Sequence, residues 1–252
     1  MNDEAKAALV KVPEVTLIFW VIKIAATTLG ETGGDAVSMS MNLGYLTATA
    51  IFAVVFLACV TAQVRARRFY TLLYWATIIA TTTVGTTLAD FADRSLGIGY
   101  AGGSSLLLAQ LLISLFVWWR SMGTVAVGSV SSPRAEVYYW VTIMFSQTLG
   151  TALGDWTADS AGLGYTGAAL VFGALLALVA AAYFWTTISH TLLFWAAFVL
   201  TRPLGATVGD FLDKPIAHGG LNFSRYTASL ALLAFIVACI LLFRQRPAQA
   251  AH

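Results

Sequence analysis

The chain has 252 residues, 59% of them hydrophobic and only 10% charged, whereas a soluble domain carries about 25% charged residues. That much apolar surface cannot be hidden inside one globule of this size, so the chain must sit in lipid. A formal charge of +2 without a basic, aromatic-interleaved stripe excludes a nucleic-acid partner, and Cys59 and Cys239, both in apolar runs, read as packing residues rather than as a disulfide.

The N-terminal stretch MNDEAKAALVKVPEV is polar and partly acidic and lacks the pattern of a signal peptide. The first element opens at Trp20 with WVIKIAATTLGETGGDAVSMSMNLGY and is followed by an apolar run over 45–64. The second opens at Trp75 with WATIIATTTVGTTLADFADRSLGIGY, followed by 100–119. The third opens at Trp140 with WVTIMFSQTLGTALGDWTADSAGLGY, followed by 165–188. The fourth opens at Trp195 with WAAFVLTRPLGATVGDFLDKPIAHGG, followed by 222–243. The four segments align without a gap. Ten residues after each tryptophan stands a glycine (Gly30, Gly85, Gly150, Gly205), and five after that an aspartate (Asp35, Asp90, Asp155, Asp210). A further glycine follows at Gly44, Gly99, Gly164 and Gly219.

The aspartates are 55, 65 and 55 residues apart, so Asp35 to Asp155 and Asp90 to Asp210 both span 120 residues. The chain reads as two duplicated halves, each a duplicated pair. The even copies alone share an acid–base pair, Asp93-Arg94 and Asp213-Lys214. The expected fold is an all-α membrane protein, a single integral domain over 1–252 with eight transmembrane helices. It is built of four two-helix repeats (12–68, 69–131, 132–188, 189–246). Two spans per repeat keep every copy in the same orientation, so the repeats are parallel, with pseudo-two-fold and quasi-fourfold symmetry along the membrane normal. One face of this arrangement collects Lys6, Lys11, Arg65, Arg67, Arg68, Arg120, Arg134, Arg244 and Arg246, and the other only Arg94, Lys214 and Arg225. The base-rich face is expected to be cytoplasmic. Both termini then lie inside and the aspartates in the outer half.

Counting in fours along each motif helix, Thr27, Glu31 and Asp35 share a face. So do Thr82, Thr86 and Asp90, then Gln147, Thr151 and Asp155, then Arg202, Ala206 and Asp210. Beside this polar stripe runs one of small residues. It pairs Gly30 with Gly34, Gly85 with Ala89, Gly150 with Gly154, and Gly205 with Gly209, the spacing that lets helix backbones approach closely. Both stripes are satisfied if the four motif helices form an inner bundle and the second helices face lipid. A charged side chain at mid-bilayer costs about 2.5–3.5 kcal/mol, so the aspartates and Glu31 require protons, partners, water or a cation. Arg202 and Lys23 offer compensating charge. Gly-Asp at a helix end also describes an ordinary capping turn, but a cap needs no threonine stripe running two turns inward.

The tryptophan register and the two-helix period resemble the bacterial integral membrane proteins built from four tandem copies of a two-helix "repeat of unknown function" with a conserved tryptophan. The resemblance covers nearly the whole chain. It implies the architecture above and a bacterial inner (cytoplasmic) membrane, and an association of such proteins with manganese efflux brings that substrate forward.

Three function classes follow as expectations. The first is a proton-coupled exporter of a hard divalent cation, with Mn²⁺ favoured. Asp35, Asp90, Asp155, Asp210 and Glu31 are then metal ligands, Thr27, Thr86 and Thr151 line the path, and Arg202 and Lys23 compensate charge or gate. The second is a cation channel or a transporter of another small solute. The third is a non-transport role as a membrane partner or assembly subunit. No cofactor is expected beyond a cation as substrate. The expected partners are the bilayer, small inorganic cations and protons, with homo-oligomer formation left open. His190 and His218 have no Cys or His partner at ligand spacing, and no Ser-His-Asp set or phosphate loop is present, so the chain is not expected to be an enzyme.

Overall fold

The computed structural model of the chain describes residues 10–248, so that Lys6 and most of the N-terminal polar stretch lie outside the described residues. Among the described residues there are eight long helices and no β-strand, only a single antiparallel bridge between Pro13 and Pro247. They are α1 (Leu17–Asp35), α2 (Gly44–Arg65), α3 (Thr71–Asp90), α4 (Tyr100–Met122), α5 (Pro133–Asp155), α6 (Gly164–Trp185), α7 (His190–Asp213) and α8 (Arg225–Leu242). Local sequence sets several boundaries. The Thr16 and Ser132 hydroxyls accept from the backbone N–H groups of Phe19 and Ala135, and Pro133 occupies the first turn of α5, where its missing donor costs nothing. Gly44, Gly99, Gly164 and Gly219 all have positive φ, at 75, 76, 64 and 85°, so the recurrent glycine serves the turn that ends each motif.

Six helices (α2, α3, α4, α6, α7 and α8) are long and apolar enough to cross a membrane, the mark of a multi-pass membrane protein. The other two are the motif helices of the odd copies, which carry Lys23, Glu31 and Asp35 in α1 and Arg134, Glu136 and Asp155 in α5. Burial separates the helices into two classes. The apolar windows of α2, α4, α6 and α8 are 6, 22, 11 and 17% buried, against 72 and 67% for the windows of α3 and α7. The motif helices are therefore internal and the second helices external.

The packing order is cyclic. α1 packs on α3, α3 on α5, α5 on α7, and α7 back on α1. Each external helix packs on the motif helix of the following copy: α2 on α3, α4 on α5, α6 on α7, and α8 on α1. The small-residue stripe explains the close approach. A Cβ at Gly30 would strike Thr82, one at Gly85 the backbone of Gln147 and Thr148, one at Gly150 the Arg202 side chain, and one at Gly205 Thr27. In each case the glycine of one copy seats the polar residue that stands three positions before the glycine of the next.

The second member of each small-residue pair repeats this contact one turn on, with graded tightness. A Cβ at Gly209 would come within 2.7 Å of the Glu31 side chain, which leaves no room for it. At Gly34 it would lie 3.1 Å from Thr86, and at Gly154 3.2 Å from Ala206 and 3.3 Å from the Pro203 carbonyl. A Cβ at Gly34 or Gly154 therefore requires a neighbour to give by only a few tenths of an ångström. The fourth such position is already an alanine, the buried Ala89. The requirement for glycine is thus strict at Gly30, Gly150, Gly205 and Gly209 and looser at Gly34 and Gly154.

The tryptophan end is closed by aromatic packing. Phe19, Tyr74, Tyr139 and Phe194 precede the four tryptophans, and each lies on the next copy's indole. The ring centroids are 5.4 Å apart for Phe19–Trp75, 5.7 Å for Tyr74–Trp140, 6.3 Å for Tyr139–Trp195 and 5.7 Å for Phe194–Trp20. Trp75, Trp140 and Trp195 are buried, which makes them core residues rather than lipid-interface anchors. The chain ends seal the same side. Val10 and Val12 are buried there, Glu14 N–H donates to the Arg246 carbonyl at 2.8 Å, and Trp75 Nε1–H donates to Gln245 Oε1 at 2.8 Å. Lys11 caps the end of α2 by donating to the carbonyls of Gln63, Val64 and Ala66, and pairs with Glu136 at 2.6 Å. Cys59 and Cys239 remain free thiols.

Candidate functional site

Equivalent positions of the four motif helices stack as layers inside the ring. Nearest the tryptophan end lie Lys23, Ile78, Ile143 and Phe198. One turn on come Thr27, Thr82, Gln147 and Arg202, then Glu31, Thr86, Thr151 and Ala206, and finally Asp35, Asp90, Asp155 and Asp210. All sixteen are buried. Periodicity thus delivers every candidate of the polar stripe to the interior, and the layers change from apolar to acidic along the axis.

Arg202 occupies the middle of this stack and touches all three other motif helices. Its Nη2 donates to Glu31 Oε2 at 2.9 Å on α1, to the Thr86 hydroxyl at 2.5 Å on α3 and to the Thr151 hydroxyl at 2.6 Å on α5. Nη1 donates to the Thr27 carbonyl at 3.4 Å. An ion pair thus joins Glu31, which only the first copy has at this position, to Arg202, which only the fourth has at its own. It exists because the ring closes α1 against α7. Gly150 and Gly209 make room for it, one under the Arg202 stem and the other under the Glu31 stem. Pro203 lies inside α7, which runs unbroken to Asp213. Lys23 takes a different place from the one expected of it. It pairs with no carboxylate among the described residues; its ammonium lies 4.1 Å from the Phe198 ring centroid and 3.4 Å from the Thr201 hydroxyl.

The four aspartates are buried at the far end of the ring, divided into two pairs instead of meeting as one ring of ligands. At the α3–α5 junction, Arg94 lies 2.9 Å from Asp90 through Nε and 3.3 Å from Asp155 through Nη2. At the α7–α1 junction, the Lys214 ammonium contacts Asp35 directly and lies 3.0 Å from Asp210. Arg225 adds a second base, 3.7 Å from Asp35 and 3.3 Å from Asp213. Arg94 and Lys214 are the site residues that sequence reasoning leaves out of the candidate set. Their signal is present as the acid–base pair peculiar to the even copies. Each base stands four residues after its own aspartate, on the same helical face, and reaches across to the aspartate of the next copy. In the second copy this reach follows a π-helical turn, Phe91–Ser95, that continues α3 past Asp90; in the fourth, Pro215 ends the helix just after Lys214.

The α7–α1 junction has one feature its counterpart lacks. Glu31, Asp35 and Asp210 each offer a carboxylate oxygen, and these oxygens lie within 4.8 Å of one another, all three residues buried. Asp35 Oδ1 has no hydrogen-bond partner among the described residues. An oxygen-only set of this kind suits Mg²⁺, Ca²⁺ or Mn²⁺. At the α3–α5 junction the positions equivalent to Glu31 are Thr86 and Thr151, so only two carboxylates meet there. One turn inward, Thr82 Oγ1, Gln147 Oε1 and Nε2, and Arg202 Nε also lack partners among the described residues, a concentration of unfilled polar capacity unusual for a buried layer. Beyond the aspartates the ring opens into a depression of about 240 Å³ lined by Arg94, Lys214, Arg225, Asp159, Tyr165 and His218, among others.

No curated protein and no solved structure matches this chain. A family of membrane repeats does, four times in tandem, over residues 18–69, 73–124, 138–189 and 193–246. Each match holds one buried motif helix and the external helix after it, and together they take in every helix of the ring. The chain therefore belongs to the Repeat of Unknown Function (DUF347) family.

Proposed function

We propose that the protein is a membrane transporter that exchanges a hard divalent cation for protons. All eight helices span the bilayer, with quasi-fourfold order along the membrane normal. The observation that carries this reading is the meeting of Glu31, Asp35 and Asp210 within 4.8 Å, buried in the core of the ring. Carboxylates held this close and away from water bind either protons or a cation, and alternating between the two is proton-coupled transport. Mn²⁺ is the favoured substrate among the ions such oxygens suit. A carrier is favoured over a channel because Arg202 stands across the interior and the layer of Lys23, Ile78, Ile143 and Phe198 closes it one turn further on. The aspartate end faces outward and both termini face the cytoplasm of a bacterial inner membrane, because the described bases Lys11, Arg65, Arg67, Arg68, Arg120, Arg134, Arg244 and Arg246 belong to the tryptophan end.

Reconstituted vesicles test the activity. Mn²⁺ flux that follows an imposed pH gradient, and that disappears in the Asp35→Asn, Asp210→Asn double variant, is the expected result. Vesicles that hold folded protein and show no divalent-cation flux under any gradient would exclude the reading. A reporter fused after Arg246 tests the orientation and is expected to report from the cytoplasm.

A further inference from the structure

The two aspartate junctions are built alike and filled differently. In both, a base four residues past one aspartate bridges to the aspartate of the next motif helix. At α3–α5 that base is an arginine bound through two separate nitrogens to two carboxylates, and among the described residues no third carboxylate oxygen joins those two within 4.8 Å. A planar fork engaged at two points is a fixed clamp. At α7–α1 the base is a lysine, a point charge on a flexible stem. It sits among Asp35, Asp210 and, at 4.0 Å, Asp213, on the wall of the open depression.

We propose that Lys214 is a tethered stand-in for the transported ion: its ammonium neutralises Asp35 and Asp210 when the site holds no substrate, and swings out into the depression when a divalent cation arrives. This rests on the cation-transport reading and adds to it the means by which the empty site is kept charge-compensated. Three observations support it independently. The backbone of Lys214 is pinned, since its carbonyl accepts from Asn222 N–H at 2.9 Å and Gly220 packs on it too closely to admit a Cβ. Only the side chain is then free to move. The side chain reaches the depression, as that of Arg94 does, so it has a way out, and unlike the arginine fork it is a single ammonium on a flexible stem. Asp35 Oδ1, buried and unpartnered among the described residues, offers an oxygen that the ammonium leaves unused and an incoming metal takes.

The charges favour a divalent ion over a monovalent one. With every carboxylate ionised, Glu31, Asp35, Asp210 and Asp213 set against Arg202, Lys214 and Arg225 leave one negative charge in the set. Replacing the lysine by a divalent cation leaves none; a monovalent cation in its place restores the deficit and gains nothing. Arg94 in the matching junction stays in place and holds α3 against α5 while α7 and α1 respond.

The test uses the full chain purified in detergent, with Mn²⁺ alone as probe. Lys214 accessibility is read as reductive methylation quantified by mass spectrometry, and Mn²⁺ affinity by equilibrium titration. Saturating Mn²⁺ is expected to raise methylation of Lys214 several-fold in the wild-type protein, and Lys214→Gln is expected to bind Mn²⁺ about tenfold tighter by removing an intramolecular competitor. Lys214→Arg is expected to bind more weakly than wild type, because the fork holds both carboxylates. Wild-type binding of Mn²⁺ with Lys214 methylation unchanged overturns the proposal and leaves the transport reading standing. Unchanged affinity in a folded Lys214→Gln protein does the same. Absence of Mn²⁺ binding in both wild type and Lys214→Gln, each melting cooperatively, removes the cation reading itself.

Discussion

The two ends of the four-helix ring use the same repeat register and opposite materials. At the tryptophan end, each motif sets an aromatic ring on the next copy's indole, and the chain termini bridge over the result. Buried area and close packing stabilise it, together with the buried Lys11–Glu136 ion pair. At the aspartate end, the motif helices and the turns that follow them present Glu31, Asp35, Asp90, Asp155, Asp210 and Asp213 against Arg94, Arg202 and Lys214, and α8 adds Arg225. Acids there outnumber bases by six to four. On the cation-exchange proposal, one scaffold carries a fixed end and a responsive end, and the difference lies in which side chains fill equivalent layers.

The sharpest way to break the comparison is at its midpoint. Glu31→Gln strands the fully buried Arg202 and is expected to cost about 3–5 kcal/mol in denaturant unfolding in detergent. Adding Arg202→Gln should recover most of that loss, because the unpaired charge is then gone. Strict additivity of the two substitutions would show that the pair is not coupled. At the fixed end, Trp140→Ala opens a cavity and is expected to cost about 3–5 kcal/mol of stability as well, with Mn²⁺ affinity in the folded fraction unchanged. A large change in affinity would show the two ends to be one unit. Within the responsive end, Asp35→Asn should lower Mn²⁺ affinity by about 30-fold, equivalent to ~2 kcal/mol, whereas Asp155→Asn, at the arginine-clamped junction, should change it little. Equal losses would restore a single ring of four ligands. The smallest effect is expected from Tyr139→Phe, which removes a buried 2.7 Å bond to the Tyr74 hydroxyl and should cost about 1 kcal/mol without altering cation binding.

Much of this is legible in the sequence. Fourfold spacing places Thr27, Glu31 and Asp35 and their counterparts on one face, and the glycine stripe beside them requires a close helix neighbour. The lone Glu31 and the lone Arg202 have to meet if the ring closes, and they do. The stripe alone does not rank its members: Gly209 is fixed by the Glu31 stem, which no other copy has, whereas Gly34 and Gly154 face smaller side chains. Less legible still is what each face meets. Helical periodicity tells that Asp90 is internal; it does not tell that Arg94 of the same helix will join it to Asp155. That reach depends on which helix follows and on the turn that carries the chain past the aspartate. An i, i+4 acid–base pair near a helix end also describes a solvated surface pair, which is why Arg94 and Lys214 read in the sequence only as a mark of the even copies. The aromatic residues before each tryptophan are hidden for a similar reason. Phe19, Tyr74, Tyr139 and Phe194 form an obvious column once the copies are stacked, but their partners belong to the next repeat. The face of Lys23 places it with the acids, whereas its actual neighbour, Phe198, comes from α7.

The cyclic packing also sets a schedule for the ribosome. α1 is made first and carries three charged residues, yet its neighbours across the closing seam, α7 and α8, are made last. Glu31 precedes Arg202 by 171 residues, which at 5–20 residues per second is roughly 10–35 s of translation. For that interval α1 has no Arg202 to meet its carboxylate and no α8 to cover its flank. Until the fourth copy arrives, that carboxylate requires a proton or water in place of its partner. Any change that slows synthesis of the last quarter of the chain lengthens the exposure of the first.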